Sequence, residues 1–143
     1  MSVGSITPHN AQTILPSETV REAANRMRTH DVGTLVVVDD QGRPVGIVSD
    51  RDLVVKALSL EQNPGATRVE AVMTANPTVI LSTASVRDAV KLMSEGGFRR
   101  LPVVDGSGNL LGVVSFDDVM ELLARDMSAV GQLLRSQKNE RQY

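Results

Sequence analysis

Cysteine and tryptophan are absent from this chain, and Phe98, Phe116 and Tyr143 are its only aromatic residues. Without cysteine, disulfides and thiolate metal sites are excluded. Platforms for single-stranded nucleic acids need several exposed aromatic rings, and three rings are a poor basis for one. The core must therefore consist of Val, Leu, Ile, Ala and Met side chains, which can also form a flat apolar slot for a planar ring.

The sequence also lacks an excess of basic charge and any long apolar run. Its 15 basic and 17 acidic residues give a net charge of −2, which is unlike the basic footprint of a nucleic-acid binder. No apolar run approaches the ~18 residues of a membrane span. Residues 1–11 contain no basic stretch followed by an apolar run, so no signal peptide is visible. We therefore expect a cytoplasmic protein that binds neither nucleic acid nor membranes.

An internal repeat organises the chain. When residues 20–53 are placed over residues 86–119, an offset of 66 without a gap, 13 of 34 positions are identical. Composition alone would produce roughly two or three identities. Such repeats bury a continuous core only when neighbouring copies pack together.

Each repeat predicts the element order β-α-β-β-α. Capping-box spacing at Thr19 with Glu22, and at Ser85 with Asp88, predicts two helix starts. Apolar residues then follow at three- and four-residue steps. β-branched runs at 34–38 and 100–104, polar turns with a late glycine, and return runs at 45–48 and 111–114 predict two hairpins. A second helix is predicted near 50–60 and 116–125, and Gly96-Gly97 is interpreted as a helix stop.

These elements predict an α/β (α+β) fold made of two packed β-α-β-β-α units. We expect the first unit at residues 7–60 and the second at 69–125. Residues 61–68, which include Asn63-Pro64-Gly65, form the expected linker. Residues 126–143 are expected to extend the last helix and to end in a frayed polar tail from residue 135.

One constellation, Gly-apolar-apolar-Ser-x-x-Asp, occurs in both repeats where the return strand meets the second helix. As local structure, Ser49 and Ser115 would be N-caps, with Asp52 and Asp118 at the third helical position. As a binding site, the helix N-terminus offers free N–H groups to an anion, and the aspartate accepts from a ribose diol. Both interpretations stay open, because one side chain can cap an empty site and bind in a filled one.

Basic residues lie near these constellations in the sequence. Arg51 falls inside the first, and Arg99 and Arg100 precede the apolar strand of the second repeat. The arginine pair indicates either an ordinary solvated strand end or a phosphate contact. Because repeat one has Gly33 and Thr34 at the matching positions, we expect the two sites to differ in charge.

The segment Phe98-Arg99-Arg100-Leu101-Pro102-Val103-Val104-Asp105, followed by Gly112-Val113-Val114-Ser115-x-x-Asp118, resembles a cystathionine-β-synthase (CBS) motif. Ala71-Val72-Met73-Thr74 before Pro77-Thr78-Val79 resembles the start of a second copy, and the resemblance covers about residues 7–125. It implies two units packed about a pseudo-twofold axis with two clefts between their sheets. Family members bind AMP, ADP, ATP or S-adenosylmethionine in such clefts.

By this resemblance, each cleft combines an adenine slot from one repeat with the serine and aspartate of the other. One cleft would contain Ser49, Asp52, Thr78, Val79, Phe98 and Pro102, with Arg99 and Arg100 near phosphate and Arg51 as a further basic candidate. The other would contain Ser115, Asp118, Gln12, Thr13, Val32, Gly33 and Thr34. Repeat one departs from the pattern, because Val36 replaces the proline and no basic pair precedes its strand.

The resemblance implies a regulatory module without catalytic activity. Its expected ligand is AMP, ADP or ATP, in preference to S-adenosylmethionine, and no metal is expected. A phosphate loop and a His-Glu-x-x-His motif are missing, and His9 and His30 are the only histidines. We expect a homodimer that acts on itself or on an effector protein. The alternative is an interaction or dimerisation module with empty clefts.

Overall fold

Two β-sheets, each centred on the hairpin of one repeat, form the framework of the structure, a computed structural model that describes residues 1–140. The helices are α1 (Val3–Ile6), α2 (Val20–His30), α3 (Asp50–Asp52), α4 (Val86–Gly96) and α5 (Phe116–Glu140). The strands are β1 (Thr13–Ile14), β2 (Thr34–Val38), β3 (Pro44–Ser49), β4 (Thr74–Ala75), β5 (Ile80–Leu81), β6 (Arg100–Val104) and β7 (Leu110–Ser115). A π-helical segment, Leu53–Leu58, follows α3 directly, and a 3-10 turn spans Val69–Ala71.

The two sheets share the topology of their first three strands, and the first sheet has β4 as an additional edge strand. The first has the order β1-β2-β3-β4 and the second the order β5-β6-β7. In each, the first strand runs parallel to the second, and the second pairs antiparallel with the third. The register is the same in both hairpins, with Leu35 opposite Val48 and Leu101 opposite Val114. The predicted β-α-β-β-α order is confirmed, and both return strands are one residue longer at each end than predicted.

Helices α2 and α4 begin at the predicted capping boxes. The Glu22 N–H donates to Thr19 Oγ1 at 3.2 Å, and the Thr19 N–H donates to the Glu22 carboxylate at 2.8 Å. Ser85 and Asp88 form the same two bonds at 3.0 and 3.3 Å. Helix α4 ends at Gly97, whose φ of 69° lies in the left-handed region that glycine adopts without strain. The predicted helix stop is therefore confirmed.

Each repeat has its own apolar core, and each core receives a short segment from the other repeat. Val3 of α1 is fully buried in the second core, and its N–H donates to the Ala84 carbonyl at 2.8 Å. Val69 of the 3-10 turn is fully buried in the first core, and its N–H donates to the Glu18 carbonyl at 2.8 Å. This reciprocal exchange fastens the two repeats together. The sequence patterns do not predict α1, because four residues are too few to show helical periodicity.

The second helices of the repeats differ from their predicted lengths. In repeat one, the helical region ends at Leu58, two residues before the predicted position 60. In repeat two, α5 continues to Glu140, so residues 135–140 are helical rather than frayed. That polar stretch contains neither glycine nor proline, so nothing in it stops a helix. Residues 141–143 of the predicted tail lie outside the described residues. Within residues 1–140, no helix is both long and apolar enough to cross a bilayer.

An ion pair in repeat one takes the place of apolar residues in repeat two. The Arg26 guanidinium donates to both carboxylate oxygens of Glu18, at 2.7 and 3.0 Å, and to the Thr13 carbonyl at 2.9 Å. The hydrogen bond from Arg26 is the main cause of the lowered pKa of Glu18. The matching residues of repeat two, Ala84 and Leu92, pack against the second core.

We predict that replacing Glu18 and Arg26 together by alanine and leucine, the residues of repeat two, changes the free energy of unfolding by less than ~1 kcal/mol. Glu18→Ala alone leaves the guanidinium without its partner and should lower the free energy of unfolding. We expect a loss of about 1 kcal/mol, because solvent screens this partly exposed ion pair. Urea unfolding at pH 7 measures both variants. Equal stability of the wild type and Glu18→Ala would contradict the prediction.

The pH dependence of the pair provides a second readout of the same interaction. Since the pKa of Glu18 is lowered in the folded state, its stabilisation is complete above the unfolded pKa near 4.5 and is lost as the pH falls through the lower folded pKa. The stability difference between the wild type and Glu18→Ala should therefore shrink in acid.

Candidate ligand-binding clefts

Two clefts lie between the repeats, and residues of both repeats line each one. The first, the Ser115 cleft, has a volume of about 350 Å³, and the second, the Ser49 cleft, about 370 Å³. Both lie within the range of small-molecule sites. The Ser115 cleft is lined by Pro8, Asn10, Ala11, Gln12, Asp31, Val32, Gly33, Thr34, Val36, Arg100, Val113, Ser115 and Asp118. The Ser49 cleft is lined by Thr34, Ile47, Ser49, Thr74, Pro77, Thr78, Phe98, Arg99 and Arg100.

The repeated Ser-x-x-Asp sequence forms the strand-to-helix junction at each cleft. The Asp118 N–H donates to Ser115 Oγ at 3.1 Å, and Asp118 Oδ2 accepts from the Ser115 N–H at 2.8 Å and from its hydroxyl at 2.9 Å. Ser49 and Asp52 form the matching backbone bonds at 3.1 and 2.8 Å. The predicted caps are thus confirmed. The bonds of Asp118 all use Oδ2, so Oδ1 remains available as an acceptor.

The glycine of each constellation allows a neighbouring segment to close one side of the cleft. A Cβ atom at Gly112 would clash with the carbonyl of Pro8, which lines the Ser115 cleft. A Cβ atom at Gly46 would lie 2.5 Å from Met73 Sδ and 3.1 Å from the carbonyl of Thr74, which lines the Ser49 cleft. A larger residue at either position would push this segment away from the strand.

The two aspartates differ in their availability to a ligand. The Asp52 carboxylate lies 3.1 Å from the Lys56 ammonium, and its side chain is only 16% exposed. Lys56 corresponds to Leu122 in repeat two, which cannot form such an ion pair. Asp118 lines the Ser115 cleft, whereas Asp52 lines neither cleft. The Ser115 cleft therefore presents a carboxylate that the Ser49 cleft lacks.

The charges on the two linings also differ, as the comparison of the repeats predicts. Arg99 and Arg100 line the Ser49 cleft without any acidic residue. In the Ser115 cleft, Arg100 shares the lining with two acidic residues, Asp31 and Asp118. Arg99 also lies over the Phe116 ring, 4.9 Å from its centroid. The Ser49 cleft therefore attracts a phosphate more strongly.

The structure brings together most of the residues predicted for each cleft. Those that line the Ser49 cleft are Ser49, Thr78, Phe98, Arg99 and Arg100. Those that line the Ser115 cleft are Gln12, Val32, Gly33, Thr34, Ser115 and Asp118. Because the predicted partners come from opposite repeats, the expected combination of the two repeats at each cleft matches the geometry.

Five predicted site residues line neither cleft, for identifiable reasons. Pro102 is fully buried in β6, and Asp52 is held by Lys56. Thr13 lies in β1 paired with β2, and its carbonyl accepts from Arg26. Arg51 is exposed in α3, away from both linings, and Val79 is 39% exposed just before β5.

Several lining residues are missing from the sequence-based prediction. These are Pro8, Asn10, Ala11, Asp31, Val36 and Val113 in one cleft, and Ile47, Thr74 and Pro77 in the other. Extending the offset of 66 backwards pairs Pro8 with Thr74 and Ala11 with Pro77. This pairing is the sequence signal that marks these residues as equivalent positions before the first strand of each repeat. No sequence signal indicates that Arg100 lines both clefts, because this depends on how the sheets pack.

We predict that Ser49→Ala and Ser115→Ala each lower the free energy of unfolding by about 1 kcal/mol, because each removes the acceptor for an N–H at the start of a helix. Ser→Thr variants at the same positions retain the hydroxyl and should stay close to the wild type. Thermal unfolding without added ligand measures all four. Alanine variants as stable as their threonine controls would contradict the capping role.

Comparison with known proteins places this architecture in a family. The CBS domain model matches residues 3–58 and 69–125. An uncharacterised protein of Methanopyrus kandleri is 37% identical over 122 residues, which cover 85% of this chain and 62% of that protein, so the chain spans less than two thirds of this relative. The structure of Arabidopsis thaliana CBSX2 in complex with AMP has 31% identity and a TM-score of 0.76, covering 88% of this chain and 98% of that one. The CBS domain protein PAE2072 of Pyrobaculum aerophilum, complexed with AMP, has 26% identity and a TM-score of 0.74, covering 82% and 89%. The chain is therefore a tandem pair of CBS domains and belongs to the CBS domain family.

Proposed function

We propose that this chain is a regulatory module that binds an adenine nucleotide of the AMP, ADP or ATP class in the clefts between its CBS domains. The observation that carries the proposal is the Ser115 cleft, where an available aspartate oxygen lies beside a helix N-terminus. The structures of two proteins of the same fold, CBSX2 and PAE2072, are complexes with AMP, which supports this class of ligand. S-adenosylmethionine is the less favoured ligand.

In the Ser115 cleft, each part of a nucleotide has a complementary group. Asp118 Oδ1 accepts from the two ribose hydroxyls, which are donors. Val32 and Val113 offer apolar surface for the adenine ring, and Arg100 is the cation on the lining for a phosphate. A phosphate placed on Asp118 itself would be repelled, so the ribose takes the aspartate and the phosphate lies toward Arg100.

In the Ser49 cleft, the same ligand meets a different surface. Ile47, Pro77 and Phe98 supply apolar area for the ring, and Arg99 and Arg100 supply two guanidinium groups for phosphates. Ionised donors and acceptors form stronger hydrogen bonds than neutral ones. This cleft therefore recognises the nucleotide mainly through its phosphates.

Regulation rather than catalysis fits the chemistry of both linings. Neither lining includes a histidine, so neither cleft serine has the imidazole base of a hydrolytic triad. Each cleft is formed by both domains, so a nucleotide contacts both at once. It shifts the balance between two arrangements of the domains only by its difference in affinity for them. The output passes to an effector protein or through self-association.

We predict that Asp118→Ala weakens AMP binding at the Ser115 cleft at least about tenfold, because the substitution removes a charged hydrogen-bond acceptor. Asp118→Asn keeps the shape of the side chain and separates lost binding from lost folding. Asp126→Ala is the control, since Asp126 is an exposed carboxylate that lines neither cleft.

Equilibrium dialysis against AMP, ADP and ATP, read at 260 nm, measures this binding directly, because the chain has no tryptophan and one tyrosine. Unchanged affinity in both Asp118 variants would refute the ribose contact. Absence of saturable binding of all three nucleotides by the wild type would refute the proposed function.

A specific observation also favours self-association, with a second copy of the chain as the partner. Exposed apolar residues follow one side of α5, spaced alternately by three and four positions. They are Met120, Leu123, Met127, Val130 and Leu134, with exposed fractions from 46% to 74%. This seven-residue repeat is typical of helices that pair with another helix. The corresponding helix of repeat one exposes Val54, Val55 and Leu58 as well, so a twofold dimer would cover both surfaces.

We predict that Met127→Glu with Val130→Glu converts a dimer into a monomer, because two carboxylates would enter the apolar contact between helices. Gln132→Glu adds a like charge on the other side of α5 and should leave the dimer intact. Sedimentation velocity at micromolar concentration distinguishes the two species. A monomeric wild type would contradict the assignment of this surface.

A further inference from the structure

Thr34 and Arg100 are the residues that line both clefts. They are the first residues of β2 and β6 and occupy equivalent positions, 66 apart in the sequence. The repeat therefore places a neutral threonine on one side of the boundary between the clefts and a guanidinium on the other. As a consequence, the two clefts share one arginine at this position instead of having one each.

Arg100 is free to turn toward either cleft. Its side chain is exposed, and within residues 1–140 it forms neither a salt bridge nor a side-chain hydrogen bond. Arg99, in contrast, lies 3.8 Å from Asp117 and over the Phe116 ring. The planar guanidinium binds a phosphate through two parallel N–H bonds, and once it is turned toward one cleft it cannot offer the same pair of N–H groups to the other.

The surroundings of Arg100 differ between the clefts in a way that favours one of them. On the Ser49 side, a phosphate meets Arg100 together with Arg99 and no lining carboxylate. On the Ser115 side, Arg100 is the lining cation against Asp31 and Asp118. Once Arg100 binds a phosphate in the Ser49 cleft, the Ser115 lining retains two carboxylates, which repel a second phosphate.

We propose that Arg100 couples the two clefts, so that a phosphate-bearing nucleotide in the Ser49 cleft lowers the affinity of the Ser115 cleft for a second one. This inference rests on the proposed function and specifies how nucleotide binding at one cleft is regulated by the other. An uncharged nucleoside does not compete for the guanidinium, so it binds the two clefts independently. Coupling between sites is reciprocal, so a nucleotide in either cleft weakens binding in the other. The module therefore holds one nucleotide at low nucleotide concentration and two only at high concentration.

Isothermal titration calorimetry with AMP tests the coupling, with adenosine as the ligand that lacks phosphate. The wild type should bind AMP with two dissociation constants about tenfold or more apart. Asp118→Asn should remove the weaker step and leave the tighter one, which assigns the weaker step to the Ser115 cleft. Removal of the tighter step instead would overturn the proposal.

A blocked Ser49 cleft then isolates the effect of Arg100. Thr78 is exposed on that lining, and Thr78→Trp fills the cleft. In this variant, Arg100 stays available, and the Ser115 cleft should bind AMP about tenfold more tightly than the weaker step of the wild type. Adding Arg100→Thr, the residue of repeat one, should abolish that gain. Adenosine binding at the Ser115 cleft should be the same with and without Thr78→Trp.

The outcomes separate this inference from the proposed function. If the Ser115 cleft of Thr78→Trp binds AMP with the weaker constant of the wild type, the clefts are independent, and the coupling fails while nucleotide binding stands. If the gain persists in Thr78→Trp with Arg100→Thr, another group couples the clefts, and the role of Arg100 fails. If the wild type binds no AMP at all, the proposed function fails, and the coupling fails with it.

Discussion

Burial of both faces of each sheet is the constraint on which the rest of this structure depends. One face of each sheet packs on its own core through alternate strand residues, Leu35 and Val37 in β2, and Leu101 and Val103 in β6. The residues between them point to the opposite face, because side chains alternate along a strand. Val36 is only 1% exposed, although it belongs to neither core cluster. A single unit has helices on one face only, so the second repeat must cover the other.

The clefts follow directly from this packing. Residues of both repeats line each cleft, and the strand-to-helix junctions at Ser49 and Ser115 lie on these linings. The reciprocal exchange of α1 and the Val69–Ala71 turn holds the repeats in this arrangement. The glycines at positions 46 and 112 let the residues that follow these segments, Met73 and Thr74 in one case and Thr7 and Pro8 in the other, run close to the return strands. The binding surfaces are thus a product of the same contacts that stabilise the pair.

The backbone is nearly symmetric, but the chemistry of the repeats is not. Lys56 holds Asp52 in repeat one, whereas leucine stands at the matching position beside Asp118. Thr34 and Arg100 occupy equivalent positions in the two repeats, and both residues line both clefts. Such differences leave the fold unchanged, because they lie at the edge of the packed surfaces. They make two clefts of similar size unequal in charge.

The sequence by itself determined the elements of this protein, because helix caps, strand periodicity and glycine stops act over a few neighbouring residues. The repeat, the β-α-β-β-α order and the helix caps at Ser49 and Ser115 follow from these local signals, whereas the residue sets of the two clefts come from the family resemblance. Only the tertiary structure decided that α1 packs on the second core, that Lys56 holds Asp52, and that Arg100 lines both clefts. Each of these depends on the distance between residues far apart in the chain, which the packing of two sheets sets and no local pattern encodes.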